Sequence, residues 1–244
     1  MQWTIRRFEP SDKEAVYVVF QEGITEHVWP AFRQAVLHPD HVALTLIISV
    51  TAYVLGGRCW TLALLAGALW VGLVFFCCYE FYTGYVRERL HTDMKDIQAS
   101  FLADPDCCFW VAEAEVGGKC RILGMVAVVG GKAGGHQQGE GATHNDGPSP
   151  GQEQERYGQI FRMTVSSSCR RSGLGTLLAQ TAIQFCRDRK FSKIVLTTSS
   201  MQTAAIALYL HMGFKHVVPF TYSGVPAWMF HMTKITLLCM EKSL

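Results

Sequence analysis

With 244 residues and a formal net charge of +2, the chain is long enough for one or two domains. It is too nearly neutral to bind nucleic acid through bulk electrostatics. Its nine cysteines are an odd number without a Cys-x-x-Cys spacing, which points to small buried hydrophobes in a reducing compartment and not to a zinc or other metal site.

The first expected element is a strand over Trp3–Phe8. Ser11-Asp12-Lys13-Glu14 then has the pattern of a capping box opening a helix through Phe20. Val42–Leu55 is a run of 14 residues without charge, Gly56-Gly57-Arg58 interrupts it, and Trp60–Tyr79 is a second uncharged run of 20. The second run has the length of a membrane-spanning helix and the first is short for one. Two arrangements compete. A hairpin bending at Gly56-Gly57 keeps both flanks on one side of the membrane, whereas a single span by the second run separates residues 1–41 from the rest. A soluble pair of core helices is disfavoured, because a core helix rarely runs so far without a polar face. No secretory signal is expected, since the apolar run begins only at Val42. Arg33 before the run and Arg87, Arg89 and Lys95 after it favour cytosolic flanks. Cys77 and Cys78, at the predicted boundary, are candidates for palmitoylation.

Thr83–Leu102 reads as a polar-faced helix on which Asp93 and Asp96, three apart, share a face and offer carboxylates to an amine. Strands are expected over Cys108–Glu115 and Ile122–Val129, joined by a turn at Gly117-Gly118. On the first of these, Glu113 and Glu115 alternate with Trp110, Ala112 and Ala114, so one face carries carboxylates and Glu113 is a candidate general base. Residues 130–156 hold eight glycines and no branched aliphatic or aromatic side chain. Such a composition cannot offset the entropy of ordering and predicts a flexible loop, to whose His136 and His144 no site is assigned.

The strand Gln159–Val165 leads into Cys169-Arg170-Arg171-Ser172-Gly173-Leu174-Gly175 and an amphipathic helix with apolar or small residues at 174, 177, 178, 181, 182 and 185. Arginines and glycines thus stand where unpaired amides and the positive end of the helix dipole favour an anion. A Walker loop is excluded because no Lys follows Gly175. A dinucleotide fingerprint is excluded because Leu178 holds the third glycine position. Downstream come a strand over Lys193–Thr198, a short helix over Thr203–Met212 that Gly213 terminates, and terminal strands near Lys215–Phe220 and Trp228–Met240.

Arg170-x-x-Gly173-x-Gly175, between strand and helix, resembles the acetyl-coenzyme A loop of the GCN5-related N-acetyltransferases (GNAT). Ala207-Leu208-Tyr209-x-x-x-Gly213-Phe214 resembles their second signature. With Thr92-Asp93-Met94-Lys95-Asp96-Ile97 and Cys108-Phe109-Trp110-Val111-Ala112-Glu113, the chain resembles the camello or N-acetyltransferase-8-like family of membrane-bound acetyltransferases, from about Ile5 to Tyr222.

The resemblance implies one α/β domain, a GNAT mixed sheet flanked by helices with an inserted hydrophobic membrane hairpin. Residues 1–41 supply its first strand and helix, 42–79 the hairpin and 80–244 the remainder. The loop 130–156 departs from the family, which joins these strands by a shorter connection. The resemblance further implies acetyl-CoA as co-substrate and no metal. The backbone of Met163, Thr164 and Val165 would hold the pantetheine arm and polarise the thioester. Arg170, Arg171, Ser172, Gly173, Leu174 and Gly175 would hold the pyrophosphate, and Tyr209 would protonate the leaving thiolate. The acceptor would be a small-molecule amine, with the α-amine of cysteine S-conjugates preferred, or a protein lysine, histones included. The implied setting is the lipid bilayer of the endoplasmic reticulum. Another class of reading is a catalytically weak CoA binder acting as a membrane interaction protein. A channel or carrier reading is poor, since one hydrophobic hairpin encloses no pathway and carries no intramembrane acid.

Overall fold

The computed structural model describes residues 3–132, 155–217 and 225–244. Most of the glycine-rich loop predicted over 130–156, with His136 and His144, lies outside them. The described chain forms two compact units, one of Met1–Gly23, Glu88–Gly224 and Leu237–Leu244, the other of Ile24–Arg87 and Val225–Thr236.

The first unit is a seven-stranded mixed sheet in the order β1-β2-β3-β4-β5-β7-β6. The strands are β1 Thr4–Arg7, β2 Cys108–Val116, β3 Lys119–Lys132, β4 Arg156–Val165, β5 Lys193–Ser199, β6 Lys215–Val217 and β7 Leu237–Ser243. β4 and β5 are parallel, and the remaining neighbours run antiparallel. Helix α6, Leu174–Asp188, covers one face with Leu174, Leu178, Ala182 and Cys186, all fully buried at a four-residue spacing. Leu177, expected on the apolar face, is 39 % exposed. Opposite the buried face of α6 stand Trp110, Ala112, Val126, Ile160, Ile194 and Leu196 of the same core. On the other face Phe109, Val111, Met125 and Ala127 are buried, Phe109 between the rings of Phe8 and Phe101, and helix α1, Lys13–Thr25, whose Val16 and Phe20 are buried, lies against β4.

Several boundaries differ from the sequence reading. The capping box lies two residues earlier than the hydroxyl pattern suggests, with Glu9 as cap and the Asp12 carboxylate accepting from the Glu9 amide at 2.9 Å. Asp12 also accepts two hydrogen bonds from Arg6, at 2.7 and 2.8 Å. The bond from Arg6 holds its carboxyl below the ordinary carboxylate range, against the opposing effect of burial. A depressed acid stabilises the fold above its unfolded-state pKa, and that contribution is lost as pH falls through the folded value. Asp12→Asn is therefore expected to lower the melting temperature of the detergent-solubilised protein by several degrees at pH 7. The difference should shrink progressively below about pH 4.

In the second unit, α2 is Val28–Val36, α3 Pro39–Leu55 and α8 Ala227–Thr233, while α4, Trp60–His91, starts here. The Gly56-Gly57 break falls where expected, between α3 and α4. The predicted helix over Thr83–Leu102 does not form as one piece. α4 runs to His91, a turn follows, and α5 covers only Ile97–Phe101. The expected terminal strand over Trp228–Met240 is half helix, because Ala227–Thr233 is α8 and β7 begins at Leu237. α3 and α4 approach closely at Gly67, where a Cβ would stand 2.6 Å from Ser49 Oγ. Their outer faces are apolar: Leu46, Ile47, Val54, Leu64 and Leu69 are all at least 60 % exposed. Among the described residues α4 is the one helix long and apolar enough to cross a membrane. Cys77 and Cys78 are buried, at 3 % and 0 % exposed, so neither stands on the surface where acylation would occur.

Candidate functional site: a cleft between two diverging parallel strands

β4 and β5 pair over only four positions, from Tyr157↔Lys193 to Ile160↔Leu196. Beyond Ile160 they diverge. The β3–β4 register shifts at the same place, between Met125 and Ala127, and Arg162 adopts a left-handed φ of 51°. An extra residue on one strand with such a conformation is a bulge, which bends the strand and turns its edge outward. For a non-glycine residue the conformation costs about 1–3 kcal/mol. Beyond the bulge, the Ser166 amide donates to the Leu123 carbonyl at 2.8 Å. By the alternation of an antiparallel ladder, the polar backbone groups of Val165 therefore face away from β3, toward the side that β5 has left.

Helix α6 begins at the mouth of this cleft. A tight 3-10 turn, Ser167–Cys169, leads into an extended Arg170. Arg171 follows at φ 58° and Gly173 at φ 91° as the residue before the helix. The first intrahelical bond runs from the Leu177 amide to the Gly173 carbonyl at 3.1 Å. The amides of Leu174, Gly175 and Thr176 therefore carry no partner within the helix and point out of its positive end. Arg170, Arg171, Ser172 and Gly173 are exposed, and open space surrounds the position of a Gly173 Cβ. The Ser172 hydroxyl donates to the Cys169 carbonyl, so its side chain closes the turn and only its amide remains for a ligand.

The third wall comes from α7, Thr203–His211. Its end is a Schellman closure: the Phe214 amide donates to the Tyr209 carbonyl and the Gly213 amide to that of Leu210, both at 3.0 Å, with Gly213 at φ 85°. Phe214 thereby packs edge-on to Tyr209, with ring centroids 5.4 Å apart. Tyr209 is 5 % exposed, and its hydroxyl donates to Met163 Sδ at 3.1 Å. Burial pushes the phenol pKa upward, which keeps the proton in place at neutral pH. A Cβ on Gly175 would lie 3.3 Å from Leu208, 3.8 Å from Val165 and 4.0 Å from Met163. The end of β4, the start of α6 and the end of α7 thus meet at one place, as the two sequence signatures require.

A model of the acetyltransferase (GNAT) family matches residues 75–214. N-acetyltransferase 8 of Rattus norvegicus is 35% identical over 211 residues, covering 86% of this chain and 85% of that protein. The Homo sapiens protein of the same name is 34% identical over 211 residues, covering 86% and 83%. This chain belongs to the GNAT acetyltransferase family. It is an acetyl-transferring enzyme whose similarity extends to the N-acetyltransferase 8 proteins. The crystal structure of a GNAT-family acetyltransferase from Staphylococcus aureus Mu50 shares the fold, with a TM-score of 0.51 and 14% identity, covering 100% of this chain and 99% of that one.

The remaining predicted residues of this acetyltransferase are placed elsewhere. Glu113 lies on β2, two strands from β4, about 10 Å along the sheet. It accepts from Arg6 at 2.9 Å on the face away from α6, whereas its neighbours Ala112 and Ala114 belong to the core under α6 with Tyr209. The structure does not bring Glu113 to Tyr209. Asp93 and Asp96 do not share a helix face either. Asp93 sits in the turn after α4 and binds Arg162 at 2.8 Å, while Asp96 caps α5 by accepting from the Ala99 amide at 3.0 Å. Arg162 itself carries no sequence signal beyond its place in a strand.

Proposed function

We propose that the enzyme is a membrane-anchored, acetyl-CoA-dependent N-acetyltransferase, with the α-amine of an S-substituted cysteine as acceptor. The observation that carries the cofactor reading is the divergence of β4 from β5 beside a glycine-bearing helix start. A thioester arm laid in that cleft meets strand amides left without a β5 partner. The Gly173–Gly175 turn offers amides and room to a pyrophosphate, with Arg170 and Arg171 adding charge. An amide of Met163 or Val165 polarises the thioester carbonyl. Tyr209 then supplies its proton to the departing sulfur in place of the Met163 thioether.

The α-amine reading rests on the absence of Glu113 from this cleft. About a fifth of an amine with pKa near 8 is neutral at pH 7.4, against about a thousandth of a lysine side chain. An α-amine thus attacks without a strong base, and apolar S-substituents suit an enzyme held at a membrane. Protein lysine is the second reading. The membrane reading is supported by the exposed apolar faces of α3 and α4. The hairpin is supported by β1 pairing with β2: strands from before and after the apolar segment share one sheet, so a segment that enters a bilayer must return to the same side. The endoplasmic reticulum, with a cytosolic catalytic unit, is the proposed location.

The test compares labelled acetyl transfer to S-benzyl-cysteine, aspartate and a lysine peptide in membrane preparations of the full chain and of Arg170→Ala. Transfer fastest to S-benzyl-cysteine and lost in Arg170→Ala is expected. Preference for the lysine peptide would overturn the acceptor assignment. Release of the protein from membranes by an alkaline carbonate wash would overturn the anchoring.

A further inference from the structure

The bulge in β4 that opens the cleft has an energetic problem. Arg162 holds a backbone conformation that L side chains rarely adopt. From Phe161 onward the strand has also lost its β5 partner. Such a conformation persists only where its surroundings over-determine it. The Arg162 side chain is only 3% exposed, and its guanidinium makes two bonds to one oxygen of Asp93, from Nε at 2.9 Å and from Nη2 at 2.8 Å. The ring of Phe20 on α1 lies 5.9 Å from the guanidinium carbon.

The turn bearing Asp93 is itself fixed. Met94 is fully buried, and its carbonyl accepts from the Tyr17 hydroxyl at 2.7 Å. The Lys95 carbonyl accepts from Lys13 Nζ at 2.9 Å. On the same face, Gly23 lets α1 close onto the strand, since a Cβ there would stand 2.3 Å from Thr164 Cγ2. Arg162 and Thr164 are therefore held from the α1 face. The alternate residues Met163 and Val165 pack against the opposite core, where Tyr209 and Gly175 lie. What grips the strand on one side sets the thioester seat on the other.

We infer that the Arg162–Asp93 pair is a positioning device for acetyl transfer: it stands in for the missing β5 ladder and fixes the backbone of Met163–Val165 in the form that receives the acetylated arm. Neither residue touches the reacting atoms. This rests on the cofactor reading above and adds the residues that shape its seat.

The experiment measures the affinities of acetyl-CoA and of ADP, which carries a pyrophosphate but no pantetheine arm, by titration of the full solubilised chain. The variants are Asp93→Asn, Arg162→Gly and Arg162→Lys, each with its melting temperature. Arg162→Gly tolerates the left-handed conformation without steric cost, so it keeps a folded bulge while removing the tie, should Asp93→Asn fold poorly. Asp93→Asn and Arg162→Gly are expected to weaken acetyl-CoA binding about tenfold and leave ADP binding within about twofold, a split that general loosening would not produce. Arg162→Lys keeps the charge and should recover part of the loss. Folded variants that bind acetyl-CoA like the parent would overturn the inference, as would acetyl-CoA and ADP affinities falling in parallel. A parent chain that binds ADP but not acetyl-CoA would remove the cofactor reading itself, and this one with it.

Discussion

Tyr209→Phe should lower kcat by about a hundredfold or more, the usual worth of a positioned proton donor, while the dissociation constant for CoA stays within about twofold. The replacement fits the same buried space and removes a hydrogen bond from the hydroxyl to a thioether, a weak acceptor. The fold should therefore survive, and the defect should lie in kcat alone. Because burial moves the phenol pKa upward, this proton is present throughout the neutral range. A fall in rate below pH 8 is then expected from protonation of the acceptor amine, and its midpoint should follow the pKa of the amine supplied. A Tyr209→Phe enzyme that turns over at the parent rate would show that the thiolate leaves with a proton from elsewhere.

The second large effect is steric. Gly175→Val should raise the Kd for acetyl-CoA by a hundredfold or more, and Gly175→Ala by only a few fold. A single added carbon meets Leu208 at 3.3 Å, a flexible methyl that can give by a few tenths of an ångström. The branches of Val would extend into the gap among Leu208, Val165 and Met163 and occupy the approach to the helix amides. Titration of acetyl-CoA against the three proteins, with melting temperatures alongside, separates a blocked cleft from a damaged helix. Equal affinities would place the pyrophosphate away from this turn.

How much of this is legible in the sequence follows from which interactions are local. The loop from Arg170 to Gly175 and the Tyr209–Gly213–Phe214 closure are written in contiguous residues, with Gly173 and Gly213 where the backbone turns left-handed, and both stand where the motifs put them. The break at Gly56-Gly57 is of the same kind. The bulge is not: Arg162 looks like any strand residue, and its conformation follows from where β3 shifts register and β5 leaves, both set by distant residues. Glu113 misleads because alternation reveals that two faces exist without saying which helix covers each. Asp93 and Asp96 mislead because their spacing suits a helix, yet α4 ends at His91 and the following turn ties Asp93 to a strand 69 residues on. The segment from Trp228 misleads because its aromatic residues suit a strand as well as the helix they form.

The short β4–β5 ladder has a consequence for motion. Four paired positions at one end join the half-sheet β1–β4 to the half-sheet β5–β7–β6, so cooperative protection from solvent should be uneven along the same strand. Backbone amides at Gly158–Ile160 and Ile194–Leu196 should exchange deuterium slowly, close to the rate of global unfolding. The Val165 amide, turned toward the gap, should exchange far sooner in the free enzyme. A ligand that bridges the two strands would slow that amide and leave the others nearly as they were.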